Sequence, residues 1–253
     1  MGYRIYTNDF VIEYNEEIID RSVLWESHCH ALFEMIAVVE GDVDIMLEGT
    51  GYRLKENQVI IIPPLCYHSI TVNESRAYKR VTVLFDGDAI PEVLRKELAK
   101  RGAQTPVLLS AKVDKLKRIC EEDRPEFFAP LAHSLMIQLL YDALQSSRNN
   151  VGEMDEFLQR VIVYIDAHLR EKILLDDLAR HTSRSKSSFC HLFEEKMNIS
   201  PKQYILQKKL ALADKLIGEG VPPTVVAMQI GYDNYSNFYR VYKKHIGKSP
   251  NSY

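Results

Sequence analysis

Four residues with metal-binding or hydrogen-bonding side chains stand close together in the first third of the chain. His28, His30 and Glu34 are separated by even numbers of residues, and His68 follows later. Residues at even spacing on a β-strand face the same side, so the first three can point at one place. Three imidazoles and one carboxylate suit a first-row transition metal. The same groups would also suit a ligand pocket lined by hydrogen-bonding histidines, and both interpretations stay open.

Aromatic residues flank this cluster. Trp25 precedes His28 by three residues, and Tyr67 is next to His68. Aromatic rings in such positions are typical of a core, but beside histidines they can also stack on a sugar or another small effector. The predicted effector-binding residues are therefore His28, His30, Glu34, His68, Trp25 and Tyr67.

A second group of polar residues lies in two helix-turn-helix patterns, at residues 175–193 and 221–242. In each, a short helix and a tight polar break precede a second helix, the arrangement that enters a DNA major groove. Ser185 and Asn234 are the expected N-caps of the second helices. Apolar residues such as Phe189 and Phe238 then face inward. The outward residues, predicted to contact DNA, are Lys186, Ser187, Cys190 and His191 in the first motif and Tyr235, Ser236, Tyr239 and Arg240 in the second.

The helix predicted between the motifs, residues 201–217, would set their separation. At 1.5 Å per residue it spans about 25 Å. Successive major grooves on one face of DNA lie roughly 34 Å apart. A spacer of this length can place two recognition helices in adjacent grooves of double-stranded DNA.

The first half of the chain predicts a β-structure followed by helices. Short β-branched runs at 35–39, 43–47, 59–62 and 80–85 are separated by turn residues, which indicates an antiparallel sandwich or barrel. Helices are predicted at 91–101, 112–123 and 129–145, the last with Leu131, Leu135, Leu139 and Leu140 on one stripe. The polar segment 146–152 is the expected linker. The predicted class is α+β, with domains at residues 1–148 and 153–253.

Composition favours a soluble DNA-binding protein with an uneven charge distribution. The net charge is −3. Residues 1–150 carry 17 Lys and Arg against 23 Asp and Glu, whereas residues 151–253 carry 15 against 12. The basic second part would attract phosphates. No apolar run approaches the roughly 20 residues of a membrane span, and there is no signal core. Four scattered cysteines indicate a reduced, cytoplasmic protein. No association with a membrane is expected.

The C-terminal part resembles the AraC/XylS family of bacterial transcription regulators. The matching residues are Leu178-Ala179, Ser185, Phe189, Phe193, Ser200-Pro201, Tyr204, Leu210, Ala213, Ile217, Val226-Ala227, Gly231-Tyr232, Ser236, Phe238, Arg240, Tyr242-Lys243-Lys244, Gly247, Ser249-Pro250 and Tyr253. The resemblance implies DNA contacts from the eight outward residues, dimerisation through the helices at 112–145, and activation by touching RNA polymerase. His191 stands where the family often has Arg, and Glu194-Glu195 where it has a basic pair. The first motif is therefore expected to bind more weakly than the second, or to face away from the nearest DNA backbone.

The N-terminal part resembles the cupin pattern, in the segments His28-x-His30-x3-Glu34-x6-Gly41 and Pro63-x4-His68. The resemblance implies a small barrel whose imidazoles and carboxylate meet inside. Leu65 departs from the pattern, which has Gly there. Sensors of this kind often keep these residues without metal, so we expect no cofactor, with a divalent transition metal as the alternative.

Together these features predict a transcription regulator, an activator rather than an enzyme, controlled by a small effector in the N-terminal barrel. One alternative is a metal-dependent cupin enzyme, an isomerase or dioxygenase, with a DNA-binding tail. A third interpretation is a DNA-architectural protein without an effector.

Overall fold

The computed structural model describes residues 2–6, 10–18, 23–24, 27–72, 77–101, 107–110, 113–121, 125–145 and 155–252. Contacts within the chain define two compact units, one formed by Met1–Ser27 and Leu32–Glu153 and the other by His28–Ala31 and Met154–Tyr253. We call them the N-terminal and C-terminal units. The linker predicted at 146–152 and the candidate effector residue Trp25 lie outside the described residues.

The N-terminal unit is built on two antiparallel sheets, as the sequence predicted. The described strands are β1 (Gly2–Tyr6), β2 (Phe10–Ile18), β3 (Val23–Leu24), β4 (Phe33–Glu40), β5 (Asp42–Leu47), β6 (Thr50–Lys55), β7 (Gln58–Ile62), β8 (His68–Val72), β9 (Ala77–Phe85) and β10 (Val107–Ser110). A six-stranded sheet has the order β1-β2-β9-β4-β7-β10, and a four-stranded sheet has the order β3-β8-β5-β6. The four strands predicted from β-branched runs are confirmed as β4, β5, β7 and β9.

Apolar side chains at alternate positions fill the space between the sheets. In β5, Val43, Ile45 and Leu47 are buried, whereas Met46 is 41% exposed. The alternation arises because successive side chains of a strand point to opposite faces. The shared core also contains Ile36, Val38, Tyr52, Leu54, Ile60, Ile62, Cys66, Ile70, Val72 and Tyr78, which come from both sheets and the β7–β8 turn. One interior therefore receives side chains from both sheets.

Three helices, α1 (Glu92–Arg101), α2 (Asp114–Cys120) and α3 (Pro125–Gln145), belong to the same unit. Helix α3 begins four residues before its predicted start. Pro125 occupies the first position, where its missing N–H has no helical partner to lose. The helix buries Phe128, Ala132, Met136, Leu139, Leu140 and Ala143 in a second core, which includes side chains of β2, β4, β7 and β9.

The predicted apolar stripe of α3 was partly wrong. Leu139 and Leu140 are buried and Leu135 is half-buried, but Leu131 is 45% exposed. The buried stripe follows the helical period from Phe128, three residues earlier, because that side packs on the core. The leucines alone did not define this face.

Helix α3 also corrects the expectation about long apolar segments. Residues Glu126–Gln145 are long and apolar enough to cross a membrane by length and composition. Polar residues such as His133 and Asp142 interrupt the run, which is why reading for consecutive apolar residues missed it. One such helix is weak evidence for a membrane span, since core helices of soluble proteins meet the same criteria.

All the regular secondary structure described between residues 155 and 252 of the C-terminal unit is helical. The helices are α4 (Glu156–Ala167), α5 (Leu175–His181), α6 (Lys186–Met197), α7 (Pro201–Gly218), α8 (Pro223–Gln229) and α9 (Tyr235–Ile246). Helix α7 ends one residue beyond its prediction. Helices α5 and α6 form the first helix-turn-helix motif, α8 and α9 form the second, and α7 joins them.

Candidate functional site

The recognition helix of the first motif, α6, starts at the predicted cap. The Ser188 N–H donates to Ser185 Oγ at 3.2 Å, which satisfies one of the helix's unpaired donors. Phe189 and Phe193 are fully buried beneath it. Of the predicted DNA-contacting residues, Lys186, Ser187 and His191 are exposed and Cys190 is half-buried.

An acidic residue that the sequence analysis did not single out restrains the start of α6. Lys186 Nζ lies 3.0 Å from Asp176 Oδ2 on α5, and both side chains are exposed. Glu194 and Glu195 are exposed further along the helix. Residues 155–199 carry seven Lys and Arg against eight Asp and Glu. The first motif therefore has little excess positive charge for phosphates.

The recognition helix of the second motif, α9, is capped by Asn234. Its Oδ1 accepts from the Asn237 N–H at 3.2 Å. Phe238 and Tyr242 are fully buried, while Ser236 and Arg240 are exposed. The Arg240 Nε–H donates to the Ser236 carbonyl at 3.4 Å, so the guanidinium group lies along the exposed side of the helix.

The two tyrosines expected to face outward from α9 are only half-exposed. The Tyr235 hydroxyl lies 3.1 Å from Asn251 Oδ1, and its ring centroid lies 6.0 Å from that of Phe238. The ring centroid of Tyr239 lies 6.3 Å from that of Tyr235. The chain after α9 thus covers part of this surface, which the helical period alone did not indicate.

Positive charge is concentrated in the second motif and in α7. Residues 200–253 carry eight Lys and Arg against three Asp and Glu. Lys243 and Lys244 are exposed in the last turn of α9. The two motifs therefore differ in electrostatic character although they share one architecture.

Two buried lysines of α7, neither predicted, fix the connection between the motifs. Lys208 Nζ lies 2.6 Å from Asp166 Oδ1 on α4. Lys209 Nζ donates to the Glu171 carbonyl, just before the first motif, and to the Ile230 carbonyl at the end of α8, the latter at 2.7 Å. Burial lowers the pKa of Lys209 below its ordinary 10.5, while Glu171 opposes this shift. One ammonium group therefore contacts backbone beside both motifs.

Gly231 brings the same two segments together. It has φ +83°, and a Cβ atom there would lie 3.1 Å from the backbone of Glu171 and Lys172. Glycine is suited to both demands, because it adopts positive φ readily and has no side chain. The turn of the second motif can therefore approach the backbone that precedes the first.

Two of the four histidine and glutamate candidates, Glu34 and His68, lie together in the N-terminal unit, whereas His28 and His30 are assigned to the other unit. Glu34 and His68 are buried, His30 is half-buried and His28 is exposed. Tyr67 is buried next to His68. The buried pair provides hydrogen-bonding groups for an organic ligand.

The orientation of His68 is set by two contacts. Nδ1 lies 2.9 Å from the Cys66 carbonyl oxygen. Nε2 lies 3.0 Å from Glu34 Oε2. Burial disfavours the charged ring, but the hydrogen bond to Glu34 and the charge of that carboxylate outweigh burial and raise the pKa of His68. The buried carboxylate therefore favours positive charge at this position.

Two residues hold the turn that carries His68. Leu65, which stands where the cupin pattern has Gly, adopts φ +61°. The turn therefore forms in the left-handed conformation that normally favours glycine. Glu48, which the sequence analysis overlooked, is buried and accepts from the Tyr67 N–H at 3.0 Å, while its own N–H donates to the Tyr67 carbonyl at 2.9 Å.

Two helix-turn-helix motifs in one unit, and a two-sheet unit with the buried Glu34–His68 pair, define the class of the protein as a DNA-binding protein with a ligand-binding domain. A family model described as an AraC-like ligand binding domain matches residues 12–162, and one described as a helix-turn-helix domain matches residues 178–253. The first match covers more than half of the sequence, and the chain belongs to the AraC family of transcription regulators.

Individual relatives agree with this assignment. The chain is 25% identical over 231 residues to the HTH-type transcriptional regulator YobQ of Bacillus subtilis, a match that covers 91% of this chain and 89% of that protein. It is 28% identical over 126 residues to the arabinose operon regulatory protein of Escherichia coli, covering 49% and 43% of the two chains. A structure of ToxT from Vibrio cholerae with bound unsaturated fatty acid aligns at 9% identity and TM-score 0.45, covering 99% and 96%. The two family models make the protein a DNA-binding transcription regulator with an N-terminal ligand-binding domain.

Proposed function

We propose that this regulator activates transcription when a small effector binds its N-terminal unit, and that its second motif supplies most of the DNA affinity. The observation that carries the proposal is the contrast between the motifs. Arg240 is exposed on α9, in a segment rich in Lys and Arg. Lys186 on α6 is instead paired with Asp176.

The proposed DNA surface consists of the outward residues of both recognition helices. Arginine reads guanine through two parallel hydrogen bonds, which makes Arg240 the leading candidate for base recognition. The remaining proposed contacts are Lys186, Ser187, Cys190, His191, Tyr235, Ser236 and Tyr239. Helix α7, 18 residues long, spans about 27 Å at 1.5 Å per residue, which supports engagement of neighbouring grooves by one chain.

An alanine substitution of Arg240 tests this surface. A duplex is first selected from a random pool with the wild-type protein, and binding is then measured at several salt concentrations. Loss of a base contact should cost about 1–3 kcal/mol, equivalent to about 5- to 150-fold in Kd. Arg118→Ala removes the same charge from an exposed position of α2 and serves as the control. Equal affinities for the two variants would contradict the proposal.

The proposed effector-binding residues are those predicted from the sequence, namely His28, His30, Glu34, His68, Trp25 and Tyr67. Sugars are one suitable class, since imidazole and carboxylate groups bind hydroxyls and aromatic rings stack on sugar faces. A thermal-shift screen of sugars and other small metabolites, repeated with His30→Ala, tests it. Compounds that raise the unfolding temperature of the variant as much as that of the wild type would show that the effector binds elsewhere.

We further propose that the regulator acts in the cytoplasm as a homodimer that touches RNA polymerase, and that it is not an enzyme. Phe127, Leu131 and Tyr141 are exposed on α3 and would form part of the dimer contact. Light scattering tests the dimer, and a monomeric mass at micromolar concentration would contradict it. In vitro transcription with purified polymerase tests activation, and unchanged or reduced transcript would contradict it.

A further inference from the structure

We infer that Asp176 competes with the DNA phosphates for Lys186, and that this carboxylate limits the DNA affinity of the first motif. Asp176 is a positioning residue in this scheme, because it acts through Lys186 and does not itself touch DNA. The inference rests on the DNA surface proposed above, to which Lys186 belongs.

Lys186 stands where a recognition helix meets DNA, although helix stability does not favour a cation there. It is the first residue of α6, directly after the Ser185 cap. The N-terminal residues of a recognition helix reach into the major groove. A positive charge at this end opposes the helix dipole. The lysine is therefore better explained by DNA binding than by the stability of α6.

The fold holds Asp176 beside this lysine. Asp176 lies in the first turn of α5, and its Oδ2 lies 3.0 Å from Lys186 Nζ. The turn between the two helices has its own internal bonds, since the buried Thr182 hydroxyl donates to the Leu178 carbonyl at 2.9 Å. A carboxylate at this position repels phosphates. Its place beside the DNA-facing end of α6 is therefore unfavourable for binding unless it restrains the lysine.

The two recognition helices differ in how their cations are paired. At the far end of α6, Lys196 Nζ lies 2.8 Å from Asp155 Oδ2, so both lysines of this helix have an aspartate partner. Within the described part of the chain, no carboxylate pairs with the arginine or lysines of α9, namely Arg240, Lys243 and Lys244. Pairing of cations with carboxylates therefore distinguishes the first recognition helix from the second.

The size of the expected effect follows from counterion release. Each phosphate contact adds about 0.9 to the steepness of log K against log salt for B-DNA. Release of Lys186 in Asp176→Asn should therefore steepen this slope by up to about 0.9 and raise affinity by up to about 5-fold at about 0.15 M salt. Because a phosphate contact carries no sequence information, a selected duplex and a scrambled duplex should gain equally.

The test is a double-mutant cycle in the full-length chain, with DNA binding measured by fluorescence anisotropy on both duplexes at several salt concentrations. Lys186→Met should lower affinity more in the Asp176→Asn background than in the wild type, because only there is Lys186 fully available to phosphate.

Asp177→Asn is the matched control. It removes the same charge from the same turn of α5, but its carboxylate pairs with Arg180 on that helix and not with the recognition helix. It should change affinity by less than about 2-fold, because salt screens charges that contact neither phosphate nor its cationic partner. It should also show no coupling to Lys186→Met.

A purely structural role of Asp176 would give a different result. A carboxylate in the first turn of α5 favours the helix dipole, so its loss would lower the unfolding temperature. Lower stability neither steepens the salt slope nor raises DNA affinity. Thermal unfolding followed by circular dichroism is therefore measured for every variant, and the salt slope separates the two roles.

Several results would overturn the inference. Additive effects of Asp176→Asn and Lys186→Met, or an unchanged salt slope in Asp176→Asn, would show that the carboxylate does not act through the lysine. A gain confined to the selected duplex would show that Lys186 reads a base and does not contact phosphate.

Arg240→Ala in the same assay separates this inference from the proposed function. Weakened binding by Arg240→Ala, together with additive effects at Asp176 and Lys186, would remove only the restraint. Coupled effects at Asp176 and Lys186 without any loss in Arg240→Ala would support the restraint and contradict the leading role of the second motif.

Discussion

Lys209→Met is the sharpest test of how the C-terminal unit holds its two motifs together. The Lys209 side chain is 8% exposed, and its ammonium donates to the carbonyls of Glu171 and Ile230. Methionine keeps most of the length and apolar contact but donates no hydrogen bond. Hydrogen bonds from charged groups contribute about 1.5–3 kcal/mol each, and relief of the buried charge offsets part of their loss. We expect a net loss of about 2–4 kcal/mol.

The assay is urea unfolding followed by far-UV circular dichroism, which reports the helical unit. Fluorescence of Trp25, the single tryptophan, reports the other part of the chain and serves as an internal control. Lys202→Met, at an exposed position of the same helix, should change stability by less than about 0.5 kcal/mol. Equal stability of the Lys209 and Lys202 variants would refute the reasoning.

The pH dependence of the same variant gives an independent check. Because burial lowers the pKa of Lys209 below 10.5, the unfolded chain binds more protons than the folded chain between these two values. The contribution of Lys209 to stability therefore increases as pH rises through that window. Lys209→Met should lack this increase, whereas Lys202→Met should retain it. If the free energy of unfolding of wild type and of Lys209→Met changed in parallel with pH, the lowered pKa of Lys209 would be contradicted.

Two further substitutions test local features of the same unit. Asp155 caps α4 and pairs with Lys196 at 2.8 Å, and this pair lowers the pKa of Asp155 below 3.8. Asp155→Ala should lower the free energy of unfolding by about 1 kcal/mol near neutral pH. Asp155→Asn should lower it by less. The contribution of the carboxylate to stability is present above pH 3.8 and is lost as pH falls through the lowered pKa. The free energies of unfolding of wild type and Asp155→Asn, measured in urea, should therefore converge in acid. A difference that stays constant with pH would contradict this. Gly231→Ala should lower the free energy of unfolding more than Gly220→Ala does. Both glycines have positive φ, but only at Gly231 would the new Cβ meet backbone, and about 1–3 kcal/mol is expected from strain and contact. Equal thermal unfolding midpoints for the two variants would contradict the close approach.

The sequence predicted the C-terminal unit well because its signals are local. Ser185 and Asn234 are strong helix caps, and Pro201 marks the first turn of α7. The spacing of apolar residues then predicted which faces of the recognition helices are buried. These features depend on neighbours within four residues, which a single sequence displays directly.

The buried lysines and the face of α3 were missed because they depend on distant parts of the chain. Lys208 and Lys209 follow Tyr204 and Ile205 at the helical spacing of four, which indicates buried positions. Charged side chains are normally assigned to the exposed face of a helix, so this spacing was not used. Their partners are Asp166 and two backbone carbonyls, which no local pattern indicates. Likewise, the exposed position of Leu131 follows from which side of α3 the sheet covers.

The prediction for the effector residues used a strand that is shorter than expected. Even spacing suggested that His28, His30 and Glu34 share one side of a strand, but β4 begins at Phe33, so only Glu34 lies on it; His68 was added by resemblance. Glu48 could not be recognised, because its role is a pair of contacts with the backbone of Tyr67, nineteen positions away. Leu65 has a positive φ, a conformation that is unfavourable for leucine. The surrounding fold imposes this conformation although the residue type does not favour it.

The length of α7 has a consequence for operator architecture. Each residue of an α-helix adds about 100° of rotation and 1.5 Å of rise. A single insertion between Ser200 and Gly220 would therefore swing one recognition helix around the axis while barely lengthening the spacer. If both motifs engage one operator, as proposed above, its two recognition elements must keep a fixed helical phase.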